Sequence, residues 1–236
     1  MQDPFSELMQ FNLGVPAEKS KEIYVEDVRN FLIQQQIFNG AMKEIRTKLE
    51  ILDEEFRVLF DHNPIHHLEY RLKSPRSIIE KLRRYDLPLT LDSIKDNLYD
   101  VAGIRVICHY VEDIYLLRKL LLQQDDLNLV RERDYIAEPK ANGYRSLHLI
   151  VEVPVYLSEK TTKMSVEIQL RTVAMDFWAS LEHEINYKSS GDIPDEIRYR
   201  LKLCAEDIYR NEEEMQRIHR EVMENYLERK TSEAGK

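Results

Sequence analysis

Cysteine is scarce in this 236-residue chain: there are two, Cys108 and Cys204, far apart and each in apolar company. Two such residues do not make a disulfide framework, and buried free thiols of a reducing compartment are the expectation. The six glycines form no G-x-x-x-x-G-K-[ST] loop and no kinase-type glycine-rich loop, which excludes P-loop and protein-kinase designs. No apolar run approaches the roughly 20 residues needed to span a bilayer. The N-terminus, M-Q-D-P-F-S-E-L, lacks the basic flank and apolar core of a signal peptide. A cytoplasmic location with no membrane partner is expected. Positive charge is also in deficit, with 34 Lys and Arg against 43 Asp and Glu, a net charge of −9. A general basic surface for DNA is therefore excluded, and RNA binding is not indicated. No His-Asp dipeptide occurs, so the paired metal ligands of phosphohydrolases of that type are missing.

Against this acidic background one segment stands out. R-L-K-S-P-R-S-I-I-E-K-L-R-R, residues 71–84, carries six basic residues and one acidic one. Any anion the chain binds must be met by such a local concentration of cations. With 43% hydrophobic and 33% charged residues, the rest is the composition of one good-sized core with helical appendages.

Periodicity predicts the elements. Residues 1–20 read as a loose leader. Lys21 to Phe60 is helical with a break near Asn39-Gly40, and Met42, Ile45, Leu49, Leu52, Phe56 and Leu59 form a heptad seam. Pro64 ends that stretch. Ser77 to Tyr85 is a short helix and Glu112 to Gln124 an amphipathic one. Gly103 to Tyr110, Leu127 to Tyr135, Ser146 to Val153 and Met164 to Arg171 read as strands. A helix capped by Thr172 runs to Lys188, and a long helix follows Pro194 to about Arg229. Its seam, Ile197, Leu201, Cys204, Ile208, Met215, Ile218 and Val222, is broken only by Asn211. Each seam packs on the sheet or meets a second subunit. The interleaving gives an α/β (α+β) fold, a mixed β-sheet flanked by helices. One domain is expected over 1–236, with N-terminal helices at 21–60, a core at 61–190 and a C-terminal helix at 191–230.

Alternation then places chemistry. In S-V-E-I-Q-L-R-T, Glu167, Gln169 and Arg171 share one face while Val166, Ile168 and Leu170 face the core. In S-L-H-L-I-V-E-V, Leu147, Leu149, Val151 and Val153 face the core and His148 the other way, so pairing of the two strands would bring His148 to Glu167. Asp100, in D-V-A-G-I-R, stands before a strand, with Gly103 permitting close approach of a ligand. An Asp and a Glu from neighbouring strands suit one Mg²⁺ shared with substrate phosphates. The basic run would clamp those phosphates, with Lys81 and Arg84 on one helix face. The Asn142-Gly143 turn, flanked by Lys140, Tyr144 and Arg145, sets an exposed ring among cations. The set suits phosphoryl transfer between nucleotides. His62 and His66 have i, i+4 spacing, but Pro64 between them breaks the helix a zinc site would need.

Four motifs together, R-L-K-S-P-R-S-I-I-E-K, D-V-A-G-I-R, P-K-A-N-G-Y-R-S-L-H and E-I-Q-L-R-T-V-A-M-D-F-W-A-S-L-E-H, resemble the (p)ppGpp synthetase domain of the RelA/SpoT type. The chain looks like a small alarmone synthetase of the RelP branch, with the resemblance running over about Asn63 to Lys188. The resemblance implies a nucleotidyltransferase fold like that of DNA polymerase β. It implies Mg²⁺-dependent transfer of pyrophosphate from ATP to the 3′-hydroxyl of GDP or GTP, with release of AMP and no hydrolase domain. It implies that Asp100 binds Mg²⁺ and that Glu167 assists the metal and activates the hydroxyl. Arg71 and Arg105 would sandwich adenine, and Lys73, Lys81 and Arg84 would clamp the ATP phosphates. Tyr144 would stack on guanine, and Arg133, Lys140 and His148 would approach the acceptor's phosphates. Asp176 and Glu182 are candidates for polar contact with guanine. It also implies a homotetramer. Two other readings stay open on the residues alone: a non-catalytic nucleotide or single-stranded RNA binding module, and a helical oligomeric interaction protein.

Overall fold

The Asn39-Gly40 pair does not break the first helix. α1 (Lys21–Leu59) runs straight through it. A Cβ at Gly40 would come within 2.9 Å of Val155 Cγ1, so this glycine marks a close approach of the helix to the sheet. The structure is a computed structural model that describes residues 21–188 and 193–234, with side chains for 29–186, 188 and 193–226. The expected leader at 1–20 lies outside these residues.

Ten further elements follow in chain order. They are β1 (Ile65–Leu72), α2 (Pro75–Arg84), α3 (Leu91–Asn97), β2 (Ala102–Cys108), α4 (Val111–Leu122), β3 (Asn128–Asp134), β4 (Leu147–Tyr156), β5 (Thr161–Thr172), α5 (Val173–Lys188) and α6 (Asp195–Ala234). Strand β1 and helix α3 were not predicted. The alternation in I-H-H-L-E-Y-R-L is masked by two histidines, and its outward face is polar throughout. Helix α3 has only seven residues, too few for a period, although Thr90 caps it by accepting from Ser93 N at 3.2 Å. The cap read from sequence does form: Thr172 Oγ1 accepts from Met175 N at 3.1 Å.

The sheet is mixed, in the order β1-β2-β5-β4-β3. Strands β2 and β5 run parallel and the other neighbours antiparallel. One face is apolar. Leu147, Leu149, Val151, Val166, Ile168 and Leu170 are fully buried there. The N-terminal seam covers them: Phe38, Ala41, Ile45 and Leu49 of α1 are buried in the same cluster, joined by Ile114, Leu117 and Leu121 of α4. Each full burial of such a side chain contributes roughly 1.5–3 kcal/mol. Leu59, the last residue of the predicted seam, is exposed.

The C-terminal seam behaves differently. α6 lies on α5 through Leu201, Ala205 and Ile208 around Trp178, whose indole N–H donates to Leu201 O at 2.9 Å. Ile197, Met215, Ile218 and Val222 stay exposed, and Cys204, expected to be buried, is exposed too. Cys108 is buried as expected. Among the described residues no helix is long and apolar enough to cross a membrane.

Candidate active site

The second face of the sheet is polar, and strand register arranges it in two rungs. One runs Arg71, Gly103, Glu167, Ile150, Arg131 across β1, β2, β5, β4 and β3. The next runs Glu69, Arg105, Gln169, His148, Arg133. Gly103 leaves a gap between Arg71 and Glu167: a Cβ there would meet only Arg71 O, at 3.7 Å. The turn before β2 brings Asp100 to the edge of this gap.

Asp100 is held from α2 and from the residue that follows β1. Its Oδ2 accepts from Lys73 Nζ and from Lys81 Nζ, each at 2.6 Å. Ser74 caps α2 and Pro75 opens it, while Ile78 and Leu82 anchor it in the core, so Lys81 points at the sheet. The other oxygen, Oδ1, is buried with no hydrogen-bond partner. Burial raises the Asp100 pKa, but the hydrogen bonds and charges of Lys73 and Lys81 outweigh it, and the carboxyl titrates below the ordinary range. Glu167 follows the same pattern. Burial pushes it up, the hydrogen bonds from His148 and Gln169 pull it down, and the net is again downward despite repulsion from Asp100. Both groups are ionised and accept only.

Two cavities meet at this pair. One, of about 370 Å³, is lined by Arg71, Lys73, Arg105 and Gln169. The other, of about 400 Å³, is lined by Lys81, Arg131, Arg133, His148 and Tyr99. Asp100 and Glu167 line both. Three cations border each cavity and three carboxylates face them: Asp100 and Glu167 in both, with Glu69 in the first and Asp96 in the second. The cations can meet phosphate oxygens, while the carboxylates supply the opposite charge.

Most of the predicted residues meet here, but not all as expected. Arg71, Lys73 and Arg105 share a cavity, while Lys81, expected beside them, opens on the other one. Arg84 is exposed with its guanidinium 5.4 Å from the Tyr85 ring centroid, and its neighbour Lys81 is the α2 cation that reaches Asp100. Asp176 is engaged by Arg171 at 3.1 Å and Arg105 at 3.4 Å rather than left free for a base. Glu182 accepts from Asn142 and Asn186. His62 pairs with Asp113 at 2.9 Å. Among the described residues no group of three or more His, Cys, Asp or Glu is placed to hold a metal.

The turn at 139–146 is built as the sequence requires, with one change. Only Gly143 takes positive φ, +92°; Asn142 acts through its side chain, accepting from Tyr144 N at 3.1 Å. The Tyr144 ring is half-buried and flanked by two cations. Lys140 Nζ lies 4.5 Å from its centroid and the Arg171 guanidinium 5.1 Å. Its hydroxyl meets His148 Nε2 at 2.8 Å. Sequence reasoning missed Arg131 and Tyr99. The signal was the R-E-R alternation in β3, which sets Arg131 and Arg133 on one face; a bulge between Leu129 and Arg131 puts Leu129 out of that phase and obscures it.

Known proteins resemble this chain in sequence and in fold. Residues 70–192 match the family model described as the region found in RelA / SpoT proteins. The chain is 43% identical to the GTP pyrophosphokinase YwaC of Bacillus subtilis, over 89% of this chain and 99% of that one. The chain belongs to the RelA/SpoT family. Within it the fold is similar to solved RelA/SpoT-type structures. Small alarmone synthetase 2 from Bacillus subtilis superposes with a TM-score of 0.75 at 41% identity, covering 81% of this chain and 99% of that one. Small alarmone synthetase 1 from the same organism, bound to its product pppGpp, gives 0.75 at 40% identity, covering 82% and 97%.

Proposed function

We propose that this chain is a GTP/GDP pyrophosphokinase that moves the pyrophosphate of ATP to the 3′-hydroxyl of GDP or GTP, giving ppGpp or pppGpp and AMP. The observation that carries this reading is that two cation-lined cavities share one pair of ionised carboxylates. A transfer between two nucleotides needs two anion sites and a reacting centre between them. A binding module would have no use for that pair, half-buried between two sites meant for phosphates.

The relatives' names support the same reaction, as does the product bound to one of them. The cavity of Arg71, Lys73 and Arg105 takes ATP. The cavity of Arg131, Arg133 and His148 takes the acceptor, with the Tyr144 ring and Lys140 beyond it. Glu167 accepts the proton of the 3′-hydroxyl as its oxygen bonds to the β-phosphorus. The bond from that phosphorus to the α,β-bridging oxygen breaks, and AMP leaves with the oxygen. The cations fix the phosphates and neutralise charge that builds up as the bond exchange proceeds.

Asp100 Oδ1, a buried anionic oxygen without a partner, fits a hard divalent cation, and two carboxylates plus substrate phosphates suit Mg²⁺. Asp100 and Glu167 would hold it, and when bound it supplies charge neutralisation at the phosphates. The exposed apolar residues of α6 support a homo-oligomer, a tetramer in our reading, in the cytoplasm.

Steady-state kinetics test the division of labour. Arg105→Ala raises KM for ATP about tenfold and leaves that for GDP nearly unchanged, and Arg133→Ala does the reverse. Equal effects of each variant on both nucleotides would contradict it.

A further inference from the structure

Five side chains close a hydrogen-bonded ring beside the two cavities. Arg171 Nη2 donates to Tyr144 OH at 2.7 Å and to Gln169 Oε1 at 3.1 Å. Gln169 Nε2 donates to Glu167 Oε2 at 3.0 Å. Glu167 Oε1 lies 3.2 Å from His148 Nδ1, and His148 Nε2 lies 2.8 Å from Tyr144 OH.

Two members set the directions. A guanidinium has donors and no acceptor, and a carboxylate accepts only. The phenol oxygen therefore accepts from Arg171, Glu167 Oε1 takes the proton of the imidazole nitrogen facing it, and the phenol's single proton is left for His148 Nε2. A neutral imidazole that accepts at Nε2 carries its proton on Nδ1. That N–H then donates to Glu167 Oε1. The opposite tautomer would set a nitrogen lone pair against a carboxylate oxygen. On the other branch, Gln169 must turn its oxygen to Arg171, which leaves its amide N–H₂ for Glu167 Oε2. Arg171 is itself fixed: it is 6% exposed, and its Nη1 donates to Asp176 Oδ1 at 3.1 Å.

We propose that Arg171 is the positioning residue of Glu167, acting through Tyr144 and His148 on one branch and through Gln169 on the other. Each carboxylate oxygen receives one hydrogen bond and keeps a lone pair for the cavities. The ring also gives Tyr144 two separable roles: its face is the platform for the acceptor base, and its hydroxyl orients the carboxylate that acts on the acceptor's 3′-hydroxyl. This rests on the reading of Glu167 as the proton acceptor.

Two measurements test it. The first needs no turnover. Histidine ¹⁵N spectra of the metal-free, nucleotide-free protein, taken on the alkaline side of the ordinary imidazole range, report the tautomer of His148, assigned by comparison with His148→Asn. The Nδ1–H form is expected in the natural protein, and a shift toward a mixture in Tyr144→Phe and Arg171→Met. The Nε2–H form in the natural protein, or the same tautomer in all three, would overturn the proposal. The second is a split of kinetic constants. Tyr144→Phe keeps the ring, so the acceptor KM stays within about twofold while kcat falls about tenfold, the scale of one hydrogen bond. Tyr144→Ala raises that KM as well. Arg171→Met repeats the loss in kcat, and Tyr144→Phe with Arg171→Met together is little worse than either alone. An unchanged kcat in Tyr144→Phe would overturn the proposal even if Arg171→Met fails to fold. If the natural protein releases no AMP from ATP and GDP, the functional reading fails, and the tautomer spectra still decide the ring.

Discussion

Asp100 and Glu167 form the wall between the two cavities, one carboxylate from the turn before β2 and the other from β5. Both titrate below the ordinary range although burial opposes it. Glu167 bears the repulsion of Asp100, and Asp100 Oδ1 has no partner. A divalent cation held by this pair would remove both costs. Chelation of divalent ions should therefore abolish turnover, and added Mg²⁺ should restore it. Asp100→Asn should lower kcat by about 10²–10³, the range for removing one charged stabilising group. Full activity in the presence of excess chelator would contradict the role given to the pair.

Gly143 is constrained twice. Its φ is +92°, and a Cβ would lie 2.7 Å from Ala205 Cβ on α6. Gly143→Ala should lower stability by about 1–3 kcal/mol and displace Tyr144. The acceptor KM should then rise far more than the ATP KM. Ala205→Gly in the same chain relieves the contact and leaves the backbone strain, so it should restore only part of the loss. Thermal melts with kinetics on both nucleotides check this.

Gly40 shows packing overriding propensity. In an open helix, Gly→Ala stabilises by about 1 kcal/mol. Here Val155 Cγ1 stands at 2.9 Å from the added methyl, and overpacking costs about 1–3 kcal/mol. Gly40→Ala should destabilise the natural chain and be stabilising, relative to the Val155→Ala parent, when Val155→Ala is also present. A double-mutant cycle from denaturant melts gives the sign.

Glu212 of α6 is buried among Arg145, Tyr209, Trp178 and Gly143, beneath the turn that carries Tyr144. Burial pushes its carboxyl above the ordinary range, and the Thr172 hydroxyl and Arg145 offset that only in part. The folded state therefore holds this proton more tightly than the unfolded chain does. Stability from this group is greatest below the unfolded pKa and declines as pH rises through the folded one. Glu212→Gln should leave Tm unchanged near about pH 4 and raise it at about pH 7–8. A variant no more stable at neutral pH would show that Arg145 compensates the charge.

Much of this was legible in the sequence because period-2 alternation on β4 and β5 is strong. It separates Leu147, Leu149, Val166 and Ile168 from His148 and Glu167 without ambiguity, and the pairing of those strands brings the second pair to 3.2 Å. The N-terminal seam was equally plain in composition; that it covers the sheet is a property of the assembled layers. What escaped depends on tertiary context. The reason for Gly40 lies on Val155, over a hundred positions away. Arg131 shares the face of Arg133, but a bulge puts Leu129 out of phase with it, so alternation counted from Leu129 gives the wrong side. The closure of Arg171 on Tyr144 needs the turn folded back on β5. Lys81 rather than Arg84 reaches Asp100 because the buried Ile78 and Leu82 fix which side of α2 faces the sheet.

The most direct test is a product assay. The purified protein is incubated with ATP, Mg²⁺ and GDP or GTP, beside Glu167→Gln, and the nucleotides are separated by anion exchange. The account predicts AMP appearing one-for-one with a guanosine nucleotide that carries two more phosphates. It predicts that Glu167→Gln binds both nucleotides and makes neither product. ADP or inorganic phosphate in place of AMP, or near-normal turnover by Glu167→Gln, would contradict it.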